Sequence, residues 1–271
     1  MTECTQPSFT FANQGRRQVV ARFDGGTITS DGGGVLLRQT EQRTGILRQF
    51  AGCFRDHRQP GQVEHSVREL VSQRVYGLVL GYEDLNDHDQ LRSDPLLALL
   101  SGKQDLEGKQ RRRAQDRGNP GAGKSTLNRF EGTPADADSQ SRYKKIVLDT
   151  SAVDRLLTDL YIQSQPRQPE RIVLDLDATD DRLHGHQEGR FFHGYYGHYC
   201  CLPLYIFAGE QLLCARLRPS NIDASAGSLE ELQRIVEQLR RVWPEVEILL
   251  RADNGFCRDE IMSWCEANGV D

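Results

Sequence analysis

Residues 171–267 read as strand, strand, strand, helix, strand, helix, an order that leaves few folds open. Residues 171–178, 200–208 and 211–217 are short β-type runs of aliphatic, aromatic and β-branched side chains. Ser228-Leu-Glu-Glu231 has the form of a helix-capping box, and Leu229, Leu232, Ile235, Val236 and Leu239 form the apolar stripe behind it. Pro244 ends that helix, residues 247–252 form a further strand, and residues 259–267 a further helix carrying Ile261, Met262 and Trp264. Strands close in sequence can hairpin, whereas a strand reached through a helical crossover tends to lie parallel. A mixed α/β sheet is expected. In front of it, Asp149 or Thr150 can cap a helix with Val153, Leu156, Leu157, Leu160 and Tyr161 on one face.

The N-terminal part has a different character. Ser30-Asp31 and three glycines can open a helix at Val35, Val67 to Leu78 recur with amphipathic helical spacing, and Pro95 starts another apolar stretch. This gives a mainly helical region over 1–145 and an α/β domain over 146–271. The chain has 34 Lys+Arg against 39 Asp+Glu, a net charge of −5. That balance excludes a histone-like basic coat, yet a local exception exists. Between Lys103 and Arg129 eight basic residues face three acidic ones, a local charge of +5, in a stretch poor in apolar side chains until Leu127. Residues 101–145 are therefore expected to be a solvated, mobile basic connector. Its positive charge, including Arg111, Arg112, Arg113, Lys124 and Arg129, is also what contact with nucleic-acid phosphates requires. No apolar run approaches the ~18–20 residues of a membrane-spanning helix. The N-terminus lacks a secretory signal, and seven cysteines without framework spacing fit reduced thiols in the cytoplasm.

Gly118-Asn-Pro-Gly-Ala-Gly123-Lys124-Ser125 matches the phosphate-cradling pattern G-x-x-x-x-G-K-[ST] at every fixed position. The mechanism needs a buried strand delivering that loop to a helix. The preceding residues, Gly-Lys-Gln-Arg-Arg-Arg-Ala-Gln-Asp-Arg, cannot be such a strand. Nucleotide binding is the least favoured reading.

Carboxylates at strand ends carry the chemistry. Side chains alternate along a strand, so Val173, Asp175 and Asp177 share one face of 171–178, and Ile172, Leu174 and Leu176 the other. Two carboxylates about 7 Å apart on an otherwise apolar strand call for a cationic neighbour. A second apolar strand ends at Asp253, with Gly255 allowing a sharp exit. Ligand sites in α/β sheets collect at carboxyl ends of strands. Hard oxygen ligands at such a point suit Mg²⁺ or Mn²⁺, which can activate a water or 3′-hydroxyl and stabilise the leaving oxygen of a phosphodiester. The plainer reading is that each aspartate merely caps a turn.

Seven short motifs occur in order: Ser30-Asp-Gly-Gly-Gly, Gly123-Lys-Ser-Thr-Leu-Asn-Arg129, Leu174-Asp-Leu-Asp-Ala-Thr-Asp-Asp181, His184-Gly-His-Gln-Glu-Gly189, Gly194-Tyr-Tyr-Gly197, Leu217-Arg-Pro-Ser-Asn221 and Arg251-Ala-Asp-Asn-Gly-Phe256. From about residue 20 onward the chain resembles the group-1 DDE transposases of bacterial insertion sequences. The resemblance implies a ribonuclease-H-like mixed sheet whose two Asp and one Glu bind Mg²⁺ or Mn²⁺. It implies DNA cleavage and strand transfer at terminal inverted repeats, with target DNA as a further partner and a homodimer in the synaptic complex. Asp177 matches the first catalytic Asp, with Asp175 as the alternative, and Asp253 matches the second. The chain ends at Asn268-Gly269-Val270-Asp271, a helix C-cap and what reads as the first residues of another strand. The resembled family places its catalytic Glu further on, so the resemblance implies a C-terminally truncated chain and an incomplete sheet. A catalytically inactive remnant that binds element ends is the alternative.

His184, His186, His193, His198, Cys200 and Cys201 invite a zinc reading, but the paired spacing of zinc sites is missing. A β-rich excursion is expected instead, placing Arg190, Tyr195, Tyr196 and His198 near the active face, where Arg190 can contact DNA. Cys257 has no base arranged near it in sequence.

Overall fold

In a computed structural model describing residues 8–22, 29–187 and 190–271, the chain divides into two units, Met1–Asp149 and Thr150–Asp271. The first opens on a hairpin that helical periodicity does not reveal. Strands β1 (Phe9–Gln14) and β2 (Arg17–Ala21) pair antiparallel around Gly15, whose φ of 58° favours glycine. Helix α1 (Gly34–Thr44) follows the glycine run as expected, although its start is capped by no side chain; Asp31 contributes its backbone oxygen to Gly34 N. After α2 (Ile46–Ala51) and β3 (Phe54–Asp56), α3 (Val67–Val79) begins in a true capping box formed by Ser66 and Glu69. Short helices α4 (His88–Leu91) and α5 (Pro95–Leu100) lead to α6 (Lys124–Glu131), and β4 (Ile146–Leu148) pairs antiparallel with β3.

The basic stretch departs from the expected solvated connector. Ala122 and Leu127 are fully buried and join Leu70, Val71, Leu97, Leu100 and Phe130 in the unit's main core. Lys103 is buried too, its Nζ donating to Glu69 Oε2 at 2.9 Å and to the Glu64 carbonyl at 3.2 Å. Few apolar residues suffice here because the backbone is tied down. Gln73 both donates to the Ala122 carbonyl and accepts from its N–H, and Gly121 N donates to the Arg92 carbonyl.

In the second unit, α7 (Thr150–Ser164) precedes β5 (Arg171–Ala178), and three short strands follow: β6 (Asp181–Arg182), β7 (Phe191–His193) and β8 (His198–Cys201). Then come β9 (Leu204–Ala208), β10 (Gln211–Arg216), α8 (Ser228–Val242), β11 (Glu247–Ala252) and α9 (Asp259–Asn268). The expected strand at 200–208 is two strands, divided at Leu202-Pro203, where proline removes a ladder donor. Its first part belongs to a separate sheet, β6-β8-β7. The principal sheet has the order β10-β9-β5-β11, with β10–β9 and β9–β5 antiparallel and β5–β11 parallel. It is mixed, as the element order requires. Asp271 adds to the outer side of β11 by exchanging backbone hydrogen bonds with Ile248 and Leu250.

The core lies on one face of this sheet, where Ile172, Leu174, Leu176, Leu204, Ile206 and Ile248 meet the Leu232, Ile235, Val236 and Leu239 stripe of α8. The expected capping box at Ser228 is absent. Gly227 is the N-cap, Ser228 donates to the Ser225 carbonyl, and Glu231 turns to Arg216 and Arg234 instead. Two guanidiniums outcompete one backbone N–H for that carboxylate. Among the described residues no helix is long and apolar enough to cross a membrane.

Candidate active site

Strand alternation fixes which acids leave the core. Along β5, Ile172, Leu174 and Leu176 are buried, Val173 and Asp175 are half-buried, and Asp177 is exposed. In the parallel register of β11 on β5, Leu250 pairs with Leu174, Arg251 with Asp175 and Ala252 with Leu176. Asp177 and Asp253 come next on the two strands. They therefore emerge side by side at the carboxyl ends of neighbouring strands, whose backbones in such a ladder run about 4.8 Å apart.

The three acids differ in what already holds them. Asp175 receives a two-pronged contact from Arg251, with Nη2 donating to Oδ2 at 2.9 Å and Nε to Oδ1. Asp253 caps the 3-10 turn Asn254–Phe256, its Oδ1 accepting from Gly255 N at 2.8 Å. A Cβ at Gly255 would stand 2.9 Å from that Oδ1, so glycine is what allows the turn to close over the carboxylate. The Asp177 carboxylate has no hydrogen bond or ion pair among the described residues. Arg251 was not a sequence-level candidate. Its signal was position: two residues before Asp253, on the same face of the strand.

The small sheet adds aromatic groups. Tyr196 has its phenol pushed up from the ordinary value by partial burial, then by the charges of Asp180, Tyr195, Asp177 and Asp253, which places it in the field of the strand-end acids. His198 Nε2 lies 2.6 Å from Asp180 Oδ2, and the His198 and Tyr196 rings are 6.1 Å apart. Arg190 stacks over Tyr199 at 4.4 Å, with Nη2 3.0 Å from His186 Nδ1. The end of the His184 motif, Glu188-Gly189, lies outside the described residues. His193, His198, Cys200 and Cys201 go to strand pairing, with His193 and His198 also packed against Tyr196, while His186 meets Arg190. Among the described residues no group of three or more His, Cys, Asp or Glu is arranged to hold a metal ion.

A pair of oxygen donors nevertheless fits one class of ion. Mg²⁺ is commonly bound through one or two carboxylates together with waters and substrate phosphates, rather than by an all-protein cage. Asp177, with no cation beside it, and Asp253, with Oδ2 outside its turn hydrogen bond, are such a pair. Asp175 fits less well, being neutralised by Arg251.

The remaining candidates lie in the first unit. Arg112 donates from Nη1 to the Gly61 carbonyl at 2.8 Å, Lys124 pairs with Asp89 at 3.4 Å, and Arg129 stacks over Tyr143 at 5.0 Å. Arg113 is exposed, whereas Arg111 is largely enclosed. Residues 118–125 do not form a nucleotide loop. A 3-10 turn at Ala114–Asp116 precedes them, and the N–H groups of Gly118, Asn119, Gly121, Ala122 and Lys124 all donate within the unit. That leaves the N–H groups of Gly123 and Ser125, which do not make the ring of donors a phosphate loop needs.

No curated protein and no solved structure matches the chain. A family profile described as transposase DDE domain group 1 matches residues 11–271. With its match running through both units and both strand-end aspartates, the chain belongs to the group-1 DDE transposase family.

Proposed function

We propose that this protein is an insertion-sequence transposase in which Asp177 and Asp253 hold Mg²⁺ or Mn²⁺ for strand cleavage and transfer at terminal inverted repeats. The carrying observation is the β5–β11 register, which brings the two acids out together at neighbouring strand ends. Family membership brings DNA transposition, DNA binding and a general use of divalent metal ions. A bound divalent ion would activate the attacking oxygen and neutralise charge on the phosphodiester. The protein's own part is positional. Gly255 fixes the Asp253 carboxylate, and Arg251 takes Asp175 out of competition. Three antiparallel strands followed by a helix and a fourth strand parallel to the first support a ribonuclease-H-like sheet. Arg111, Arg112, Arg113, Lys124, Arg129 and Arg190 are the proposed DNA contacts, and a homodimer is the proposed synaptic unit, working in the cytoplasm.

A supercoiled plasmid bearing the element's ends tests this. With Mg²⁺, whatever nicking the wild type performs is expected to fall at least ~100-fold in Asp177→Asn and Asp253→Asn, and much less in Asp175→Asn. Equal nicking by Asp253→Asn removes that residue from the site. Binding of the ends without nicking by the wild type would instead support the inactive-remnant reading.

A further inference from the structure

Within the first unit, segments around Arg58, His65, Arg92, Arg111 and Arg129 enclose a cavity of about 560 Å³. Among the described residues six arginines and three carboxylates line it, an excess of three positive charges. The carboxylates are already engaged. Glu64 lies 3.2 Å from Arg111 Nη2, Asp116 lies 3.9 Å from Arg111 and 4.0 Å from Arg92, and Asp89 pairs with Lys124. Arg113 and Arg129 have no carboxylate partner among the described residues.

The wall is also short of acceptors. His65 Nδ1, Arg92 Nε and Arg111 Nε are buried with no hydrogen-bond partner among the described residues. His65 is 5% exposed, and its Nε2 lies 2.5 Å from Arg111 Nη1. A guanidinium can only donate, so Nε2 accepts and the proton sits on Nδ1. Burial, then Lys103, Arg111 and Arg58, push the His65 pKa down to about 2, which keeps the ring a neutral donor. Buried donors without acceptors are rare in folded proteins. Those three atoms have no surface open to the cavity, so an anion there would meet the arginine Nη groups, and guanidinium forks match phosphate oxygens two at a time.

We propose that this cavity seats one phosphate of the DNA backbone, gripped by Arg92, Arg111 and Arg113. The choice of DNA as the source of that phosphate rests on the transposase reading. Of residues 118–125, the N–H groups of Gly118, Asn119, Gly121, Ala122 and Lys124 are used internally, so recognition rests mainly on side chains. The cavity thereby adds Arg92 to the basic residues marked by charge alone.

The test is fluorescence anisotropy of the full chain, in EDTA, on a duplex carrying the inverted repeat that flanks its coding frame. Arg92→Gln with Arg113→Gln is expected to bind at least ~10-fold more weakly and to lower the slope of log affinity against log salt by about two. Arg113→Gln alone, at an exposed position, guards against a folding defect, and Arg142→Gln controls for loss of charge elsewhere. Duplexes with one neutral methylphosphonate linkage locate the contact. At one linkage the wild type is expected to lose affinity while the double variant loses nothing further. Losses no larger than those of Arg142→Gln, or losses additive at every linkage, overturn the proposal. Displacement of the duplex by micromolar ATP but not by inorganic phosphate would assign the cavity to a nucleotide and overturn it too. Arginine-dependent binding by a chain that never nicks DNA would leave the cavity standing and the catalytic reading fallen; a wild type that binds no duplex overturns both.

Discussion

Glu231 offers the sharpest test of what holds the second unit together. Its side chain is 9% exposed and accepts from Arg216 Nε at 2.8 Å and Arg234 Nε at 2.9 Å, with Arg216 Nη2 2.6 Å away. Arg216 also reaches Asp154 at 2.7 Å, and Arg234 donates to the Asp154 and Leu213 carbonyls, so one carboxylate ties α8 to α7 and β10. Removing one member of a buried pair costs about 3–5 kcal/mol, because the partner charge is left uncompensated. Arg216 is two-fifths exposed and both arginines keep other acceptors, which discounts this to about 3 kcal/mol. With a urea m-value of about 2 kcal/mol/M, Glu231→Ala should lower the unfolding midpoint by about 1.5 M. Trp243 and Trp264, the chain's two tryptophans, both lie in this unit, so their fluorescence reports its unfolding. The pH dependence has a definite sign. Burial raises the Glu231 pKa, but hydrogen bonds from Arg216 and Arg234 more than reverse this, leaving it below its ordinary 4.5. The stability it contributes is thus complete above pH 4.5 and is lost as pH falls through the lower folded value. Asp154, raised by burial, contributes in the opposite sense. The variant should therefore lose less stability on acidification than the wild type. A midpoint shift below about 0.3 M would refute this account of the cluster.

Leu127→Ala, at a fully buried position, should cost the first unit about 2–5 kcal/mol, read as loss of far-UV ellipticity at lower urea. Gly121→Ala would place a Cβ 3.0 Å from Arg92 Cα and 3.2 Å from Gln73 Oε1, and should cost about 1–3 kcal/mol by the same measurement. Ser66→Ala removes the α3 capping box at about 1 kcal/mol, visible as faster hydrogen exchange in the first turn of that helix. The Asp223 carboxyl, held at about 2 by the Ser225 hydroxyl, Arg258 and the Ser225 N–H, should titrate near that value by carbon-13 NMR and move upward in Arg258→Gln. Its contribution to stability is present above its ordinary 3.8 and lost as pH falls toward 2.

The sequence spoke most clearly where a single period decides the outcome. Alternation along residues 171–178 sorted three core residues from two acids, and the α8 stripe reproduced the buried face of that helix. It spoke least where partners lie far apart in the chain. Arg251 meets Asp175 only through a strand register spanning 76 residues, and Glu231 abandons its capping box for Arg216, 15 residues earlier on another element. The basic stretch packs into the core although hydropathy gives no sign of it, because Gln73, some fifty residues upstream, anchors its backbone. The β1–β2 hairpin escaped for a simpler reason: most of its residues are exposed, so no apolar face marks it.

The claim that Asp177 and Asp253 hold the metal can be tested without DNA. Fe²⁺ substituted for Mg²⁺ generates hydroxyl radicals in the presence of ascorbate and peroxide, and these cut the polypeptide beside the bound ion. Fragments ending near residues 177 and 253 are expected from the wild type and from Asp175→Asn, suppressed by excess Mg²⁺ and lost in Asp177→Asn and Asp253→Asn. Cuts elsewhere in the chain, or cuts at these positions that survive both substitutions, would contradict the assignment.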